Sequence, residues 1–308
     1  MNGKTNSAEI LQALSSAIEQ VAESASPSVV SIGSERRTGS GVVWDDQGHI
    51  VTAYHVVVGL DEVEVGLDDG RTLTAQVVAS DRRTDVALLK VEGAALTPIP
   101  RGDSESLKVG QFVLALANPH AAKASATSGI ITGARRDIGG WWGVEISGAI
   151  VTDARLNPGY SGGPLLDASG KMIGMNVACI SSRGIAIRTQ SVTKTVERLA
   201  TGNSVKRAYL GIVTNPVELP DDVSGLPKQS YGMMVLSVEP GSPAKSAGIT
   251  LGDVLLGFNG TPLGGFHDLG AALTEDAIGK PVKVQVLRAG RVDELTVTPG
   301  TAPESECE

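Results

Sequence analysis

From Val29 to about Ile187 the chain runs as short Val-, Ile- and Leu-rich stretches, each soon broken by Gly, Asp or Ser: VVSIG, SGVVWDDQGHIVTAYHVVV, VEVGLDD, LTAQVVAS, DVALLKV and QFVLALA. β-branched side chains suit a pleated, half-buried surface, and the breakers mark strand ends. No long helical pattern intervenes, so the spacing predicts a β-sandwich or a pair of barrels and argues against βαβ units. With 38 glycines and 3% aromatic residues, the interior has to be filled by Val, Ile, Leu and Ala, with many tight turns between the strands.

Four segments follow from this pattern. Residues 1–25 carry Ile10, Leu11, Leu14, Ile18 and Val21 at helical spacing, one apolar stripe that most simply packs on its own domain, and Ser26-Pro27 ends the helix. Residues 26–202 hold the strand-rich region and close with a helix over SVTKTVERLA, after which Thr201-Gly202-Asn203 reads as a stop and linker. Residues 203–301 form a second β-rich module with one helix near FHDLGAALTEDAI, where Leu269, Leu273 and Ile278 share a face. Residues 302–308, within APESECE, read as a disordered acidic tail.

A net charge of −8 argues against nucleic acid as the main ligand, because phosphate binding needs a basic face. No apolar run approaches the roughly 18–20 residues of a membrane helix. The first residues lack the continuous apolar core of a secretory signal, so the chain as it stands is expected to be cytoplasmic, or extracytoplasmic if a targeting segment has been removed. Cys179 and Cys307 make no disulfide framework, and no Cys/His cluster has metal-ligand spacing; neither metal nor cofactor is expected.

The segment with chemical potential is NPGYSGGPL, Asn157 to Leu165. A serine hydroxyl is a weak nucleophile near neutral pH, so Ser161 needs a base, an orienting group for that base and donors for a developing oxyanion. Of the four histidines, His267 lies in the second module, His49 in a turn and His120 in a loop. His55 ends the predicted buried strand IVTAYH, where a polar group is costly without a partner. DRRTDVALLKV offers two carboxylates. Asp85 opens an apolar strand and can point inward, whereas Asp81 reads as a surface or turn residue. Ser161 would then attack, His55 shuttle the proton and Asp85 hold the imidazole tautomer. Gly159 lets the backbone turn so that the amides of Gly159 and Ser161 converge on one oxygen, while Gly162 and Gly163 leave room for substrate and strand packing.

TAYHVV around His55, TDVALLKV around Asp85 and TDARLNPGYSGGPL around Ser161 together resemble the trypsin-fold serine proteases of the high-temperature-requirement (HtrA/Deg) family. YLGI at Tyr209–Ile212 and GSPAKSAGITLGDVLLGFNG are similar to the PDZ domain that follows the protease in that family, and the resemblance runs from about Ser26 to Pro299. It implies a chymotrypsin-like double β-barrel followed by an α+β PDZ domain. It further implies an ATP-independent endopeptidase for unfolded or misfolded polypeptides, commonly assembled as a homotrimer. The short segment around Glu35 to Thr38 favours a trimer over a larger cage. The alternative is a PDZ-bearing chaperone or adaptor on a weakly active or inactive protease scaffold.

In the same reading, Arg155, Leu156, Gly184, Ile185 and Ala186 would form the substrate pocket, apolar enough for small aliphatic P1 residues, with Arg155 keeping an acidic preference open. Tyr209, Leu210, Gly211 and Ile212 would receive a peptide C-terminus, with Leu210, Ile212 and Leu273 shaping the pocket for its last side chain. Two residues depart from the family: Tyr160 stands where most relatives have Asn, and Tyr54 precedes His55. Two such tyrosines flanking catalytic residues suggest a mutually packed pair. Trp141 and Trp142 lie in a loop that contributes either to activation contacts or to local hairpin packing.

Overall fold

The apolar runs between Val29 and Lys90 become six antiparallel strands that close on themselves in a computed structural model of the chain. It describes residues 7–33, 38–119, 124–141, 144–177, 184–201, 208–219 and 229–301. Arg183, Trp142, both cysteines, His120 and the tail 302–308 lie outside the described residues. Contacts divide the chain into two compact units, one holding two barrels and one holding a later open sheet.

The first barrel contains β1 (Val29–Gly33), β2 (Thr38–Val43), β3 (His49–Thr52), β4 (Glu62–Gly66), β5 (Thr72–Asp81) and β6 (Val86–Lys90), in the order β1-β2-β3-β6-β5-β4. The pairing of Ile32 with Val65 closes the ring. Val30, Ile32, Val42, Ile50, Val51, Leu88 and Leu89 are almost wholly shielded, so aliphatic side chains make up most of this interior. A one-turn helix, α2 (Tyr54–Val57), follows β3.

The second barrel repeats the plan with β7 (Phe112–Ala117), β8 (Ser125–Trp141), β9 (Val144–Thr152), β10 (Pro164–Asp167), β11 (Met172–Val177) and β12 (Gly184–Arg188), in the order β10-β11-β12-β9-β8-β7. Its core gathers Val113, Ala115, Ile131, Ile150, Leu165 and Ile173 around one aromatic residue, Tyr160. The sequence expectation of a barrel pair is met. Trp141 falls at the end of β8.

The N-terminal helix, α1 (Ser7–Ala25), is present, but its stripe is not packed along its length: Ile10, Leu11 and Leu14 are exposed, and only Ala25 is buried. The closing helix, α3 (Thr189–Ala200), buries Val192, Val196 and Leu199 and packs on β5, β6 and β11. This packing corrects the reading of Asp81. At the end of β5 it does bond into the turn, Oδ1 accepting the Arg83 amide at 3.0 Å, but it is buried, because α3 covers it and Arg198 supplies the ion pair that a shielded carboxylate needs.

The second unit has the two-residue pair β13 (Ala208–Tyr209) and β20 (Gly300–Thr301), and an open sheet of β14 (Ile212–Glu218), β15 (Tyr231–Val238), β16 (Val254–Phe258), β18 (Val282–Arg288) and β19 (Arg291–Val297), with β17 (Thr261–Pro262) paired to β16. Two helices accompany it, α4 (Pro243–Ser246) and α5 (Phe266–Ala272). The single helix expected over FHDLGAALTEDAI stops after Ala272 and resumes as a 3₁₀ turn at Glu275–Ala277. Its core packs Met233, Val235, Leu255, Phe258, Val284 and Val286 against Leu269.

Candidate active site

His55 is not in a strand. The neighbours of β3 stop pairing at Thr52, so the chain turns through Ala53 into α2 and carries His55 out of the ladder. Asp85 meets it from β6. Its backbone is left-handed, φ 53°, a conformation that aspartate tolerates better than most residues, and this turns the carboxylate back before the strand begins. Oδ1 accepts the His55 amide at 3.1 Å, and the ring Nδ1 lies 2.8 Å from Oδ2 and 3.0 Å from Oδ1. The Tyr54 amide donates to the Asp85 carbonyl at 3.2 Å. Asp85 is 1% exposed, so the imidazole is oriented by a carboxylate shielded from water. Such bonding makes Nδ1 the donor and leaves Nε2 as the ring's basic nitrogen.

Ser161 arrives from the turn between β9 and β10 and is 5% exposed. The turn is closed by backbone bonds from Tyr160 to Asn157 (3.1 Å) and from Gly163 to Tyr160 (3.1 Å). Gly162 has φ 85°, and a Cβ there would lie 2.0 Å from the Ser40 carbonyl oxygen, 2.5 Å from Thr52 Oγ1 and 3.1 Å from the Ala53 nitrogen. Any side chain would push the turn off the segment that leads directly into His55. The serine turn and the His55 helix are thus brought together from two barrels.

The pocket residues divide. Ile185 and Ala186 are buried on β12, and Leu156 packs beside the second-barrel core. Gly184 lies tight against Ala154 and Thr152. Arg155 is exposed, and only its carbonyl is tied in, by the Thr127 hydroxyl at 2.8 Å.

Tyr160 has a different setting from the one expected. Its ring is 3% exposed inside the second barrel, with Ala117, Ile150 and Ala186, and its hydroxyl is hydrogen-bonded with Thr127. Burial pushes the phenol pKa up, and Thr127 offsets part of that rise. Tyr54 is partly buried and is not among the residues of this cluster. Tyr160 thus faces the interior of the second barrel from the turn that carries Ser161.

In the second unit, Leu210 is buried in the core, while Ile212 and Leu273 are half-buried against it. Gly211 has φ 75°, with the Ser242 Cβ 2.2 Å from where a Cβ would stand. β14 occupies the end of the sheet order, with β15 as its neighbour in the ladder. Sequence reasoning missed Ser40, Thr52, Asn118 and Asn176, whose hydrogen bonds surround the serine turn. Nothing in a lone Gly-Ser-Gly or a strand threonine marks such contacts, which join residues far apart in the chain.

Comparison with known proteins matches residues 39–175 to a family described as the trypsin-like peptidase domain and residues 208–298 to one described as the PDZ domain. The chain is 38% identical to Protease Do-like 1, chloroplastic, of Arabidopsis thaliana, over 87% of this chain and 64% of that protein. It is 38% identical to a probable periplasmic serine endoprotease, DegP-like, of Halomonas elongata, over 88% of this chain and 58% of that one. Across the most similar curated relatives the chain spans 55% to 68% of their length. Among solved structures, the HtrA-type protease AlgW with a decapeptide superposes with a TM-score of 0.64 at 27% identity, covering 93% of this chain and 99% of that one.

Proposed function

The chain belongs to the HtrA/Deg family of trypsin-like proteases with a PDZ domain, and on that premise we propose that it is an ATP-independent serine endopeptidase acting on unfolded polypeptides. The observation that carries this reading is the shielded Asp85 carboxylate on His55 Nδ1, beside the turn that presents Ser161. In the reaction, His55 Nε2 takes the Ser161 hydroxyl proton as Oγ bonds to the scissile carbonyl carbon. The carbonyl becomes an oxyanion facing the amides of Gly159 and Ser161, and the imidazolium, held by Asp85, returns its proton to the leaving amine. Water then hydrolyses the acyl-enzyme by the same groups in reverse roles.

Leu156, Ile185 and Ala186 supply an apolar pocket, which fits a small aliphatic P1 residue; the exposed guanidinium of Arg155 favours neither an acidic nor an aliphatic side chain from inside it. In the PDZ domain, Tyr209 to Ile212 would hold a peptide C-terminus, with its strand added to the β14 edge and its last side chain against Ile212 and Leu273. A homotrimer is the assembly we propose from family membership. The periplasmic and chloroplastic names of relatives favour a compartment outside the cytoplasm. Among the described residues, no helix is long and apolar enough to cross a membrane.

Labelling with a fluorophosphonate tests the activity. The reagent is expected to modify Ser161 in the wild-type chain and to leave Ser161→Ala unmodified, with casein cleaved only by the former. Failure of the wild type to label or to cleave, with and without a C-terminal peptide for the PDZ domain, would support the chaperone or adaptor reading instead.

A further inference from the structure

Ser40 lies on β2, in the opposite barrel from Ser161 and more than a hundred residues before it, yet it is hydrogen-bonded to the serine turn at two points. Its amide donates to the Ser161 carbonyl at 2.9 Å. Its hydroxyl donates to the Gly159 carbonyl at 2.7 Å and accepts the Asn118 amide at 2.9 Å. Its own carbonyl accepts the Thr52 hydroxyl at 2.6 Å, on the strand that runs into His55. Ser40 is 0% exposed, and Asn118 is equally shielded at the end of β7.

Each contact bears on a different part of the reaction. The amide groups expected to bind the oxyanion belong to Gly159 and Ser161, and Ser40 holds the carbonyls of those same two residues. Gly159 is in the left-handed region, φ 88°, and glycine peptides there rotate at little steric cost. A carbonyl pinned by a buried hydroxyl cannot rotate without leaving both a donor and an acceptor unpaired. The second bond, to Asn118, fixes the hydroxyl itself, so the anchor does not swing with the turn.

We propose that Ser40 is a positioning residue for peptide hydrolysis: its hydroxyl bridges the two barrels and holds the Gly159–Ser161 turn in the orientation that binds the oxyanion. This rests on the protease reading above and adds a residue to it. The hydroxyl touches neither substrate nor His55, so its removal should weaken binding of the tetrahedral species and spare binding of the ground state.

The test compares Ser40→Ala with Ser31→Ala in the full chain. Ser31 is also a buried serine of the first barrel and pairs with Ser40 across the β1–β2 ladder, but its hydroxyl is bonded to Gly66 on β4, accepting that amide at 3.1 Å. For a short peptide substrate, Ser40→Ala should lower kcat on the order of 10- to 100-fold with KM changed less than about threefold, below the loss seen when an oxyanion donor is itself deleted. Affinity for a peptide boronate, which forms a tetrahedral adduct on Ser161, should fall by the same factor as kcat. Ser31→Ala should lose thermal stability without that kcat effect. If Ser40→Ala does not fold, Ser40→Cys keeps the volume, weakens the hydrogen bonds and should show the same split between kcat and KM. A wild type that fails to label overturns the protease reading. An active wild type whose Ser40 variants keep kcat within twofold, or lose kcat only as Ser31→Ala does, overturns the role of Ser40 alone.

Discussion

The two units of this chain are both antiparallel β structures, and they treat their sheet edges in opposite ways. Each barrel closes a six-strand ring, which leaves its ladder no open end among the described residues, and the candidate site is assembled from the segments that leave the rings. His55, Asp85 and the Ser161 turn are such segments. The second unit keeps its sheet open, and β14 at the end of the order has one neighbouring strand. There the edge itself is the candidate binding surface, and its specificity comes from whichever side chains lie beside it. A closed sheet therefore concentrates function in a few side chains whose loss is catastrophic. An open one spreads it along a backbone, where single changes cost less.

The largest effect is expected within the closed unit. Asp85→Asn keeps the shape but reverses the hydrogen-bond polarity toward Nδ1, which puts the imidazole in the wrong tautomer. It should lower kcat by about 10⁴-fold, measured with a chromogenic peptide. A loss under tenfold would mean that His55 is held by its α2 backbone and not by the carboxylate.

Next comes the one aromatic anchor of the second barrel. Tyr160→Ala should destabilise the barrel unit by about 3–5 kcal/mol, whereas Tyr160→Phe keeps the ring, loses the Thr127 bond and should cost about 1 kcal/mol. Because Tyr54 lies outside that cluster, Tyr54→Ala and Tyr160→Ala should be additive to within about 0.5 kcal/mol in chemical denaturation. Stronger coupling would show that the two tyrosines pack on each other.

In the open unit, Gly211→Ala strains a left-handed residue pressed on Ser242, at a cost of about 1–3 kcal/mol. Binding of a C-terminal peptide, followed by fluorescence anisotropy, should weaken by at least tenfold while cleavage of a short substrate stays within about twofold. Equal losses of both would show that the two kinds of site are not separable.

The smallest effect concerns acid. Burial pushes the Asp253 carboxyl up, but hydrogen bonds from Arg288 at 2.7 Å and the Thr250 amide at 2.8 Å, together with the Arg288 charge, bring it below the ordinary range. A depressed folded-state value contributes stability above about pH 4, which is lost as pH falls through the folded-state value. Protection of the second unit's sheet amides against hydrogen exchange, relative to the intrinsic rate at each pH, should therefore fall below that pH. In Arg288→Met the unit should be weaker at neutral pH and the acid dependence flatter. An unchanged acid profile would remove this pair from the unit's pH response.

Much of this was legible along the chain, for a reason that varies with distance. Strands announce themselves through local alternation and breakers, so the barrel runs, the closing helix and the two modules could be read off directly. His55, Asp85 and Ser161 stood out because each sits in a local motif. Contacts made across the fold left no such trace. Asp81 looked like a turn residue because Arg198, its partner, is 117 positions away. Tyr160 carried no sign of its place in the second-barrel core, because sequence shows adjacency to motifs and not the direction a side chain takes from a turn.

By itself, then, the sequence determined the strand-rich architecture, the order of the modules and which serine, histidine and aspartate are the candidates for nucleophile, base and orienting carboxylate. These are properties of residue type and short-range spacing. Only the tertiary structure decided that Asp85 reaches His55 through a left-handed turn, that Tyr160 anchors the nucleophile loop inside a barrel, and that Ser40 grips that loop from the other barrel. Hydrogen bonds and packing act over a few ångströms in space whatever the separation along the chain, and closing two barrels is what brings those separations to nothing.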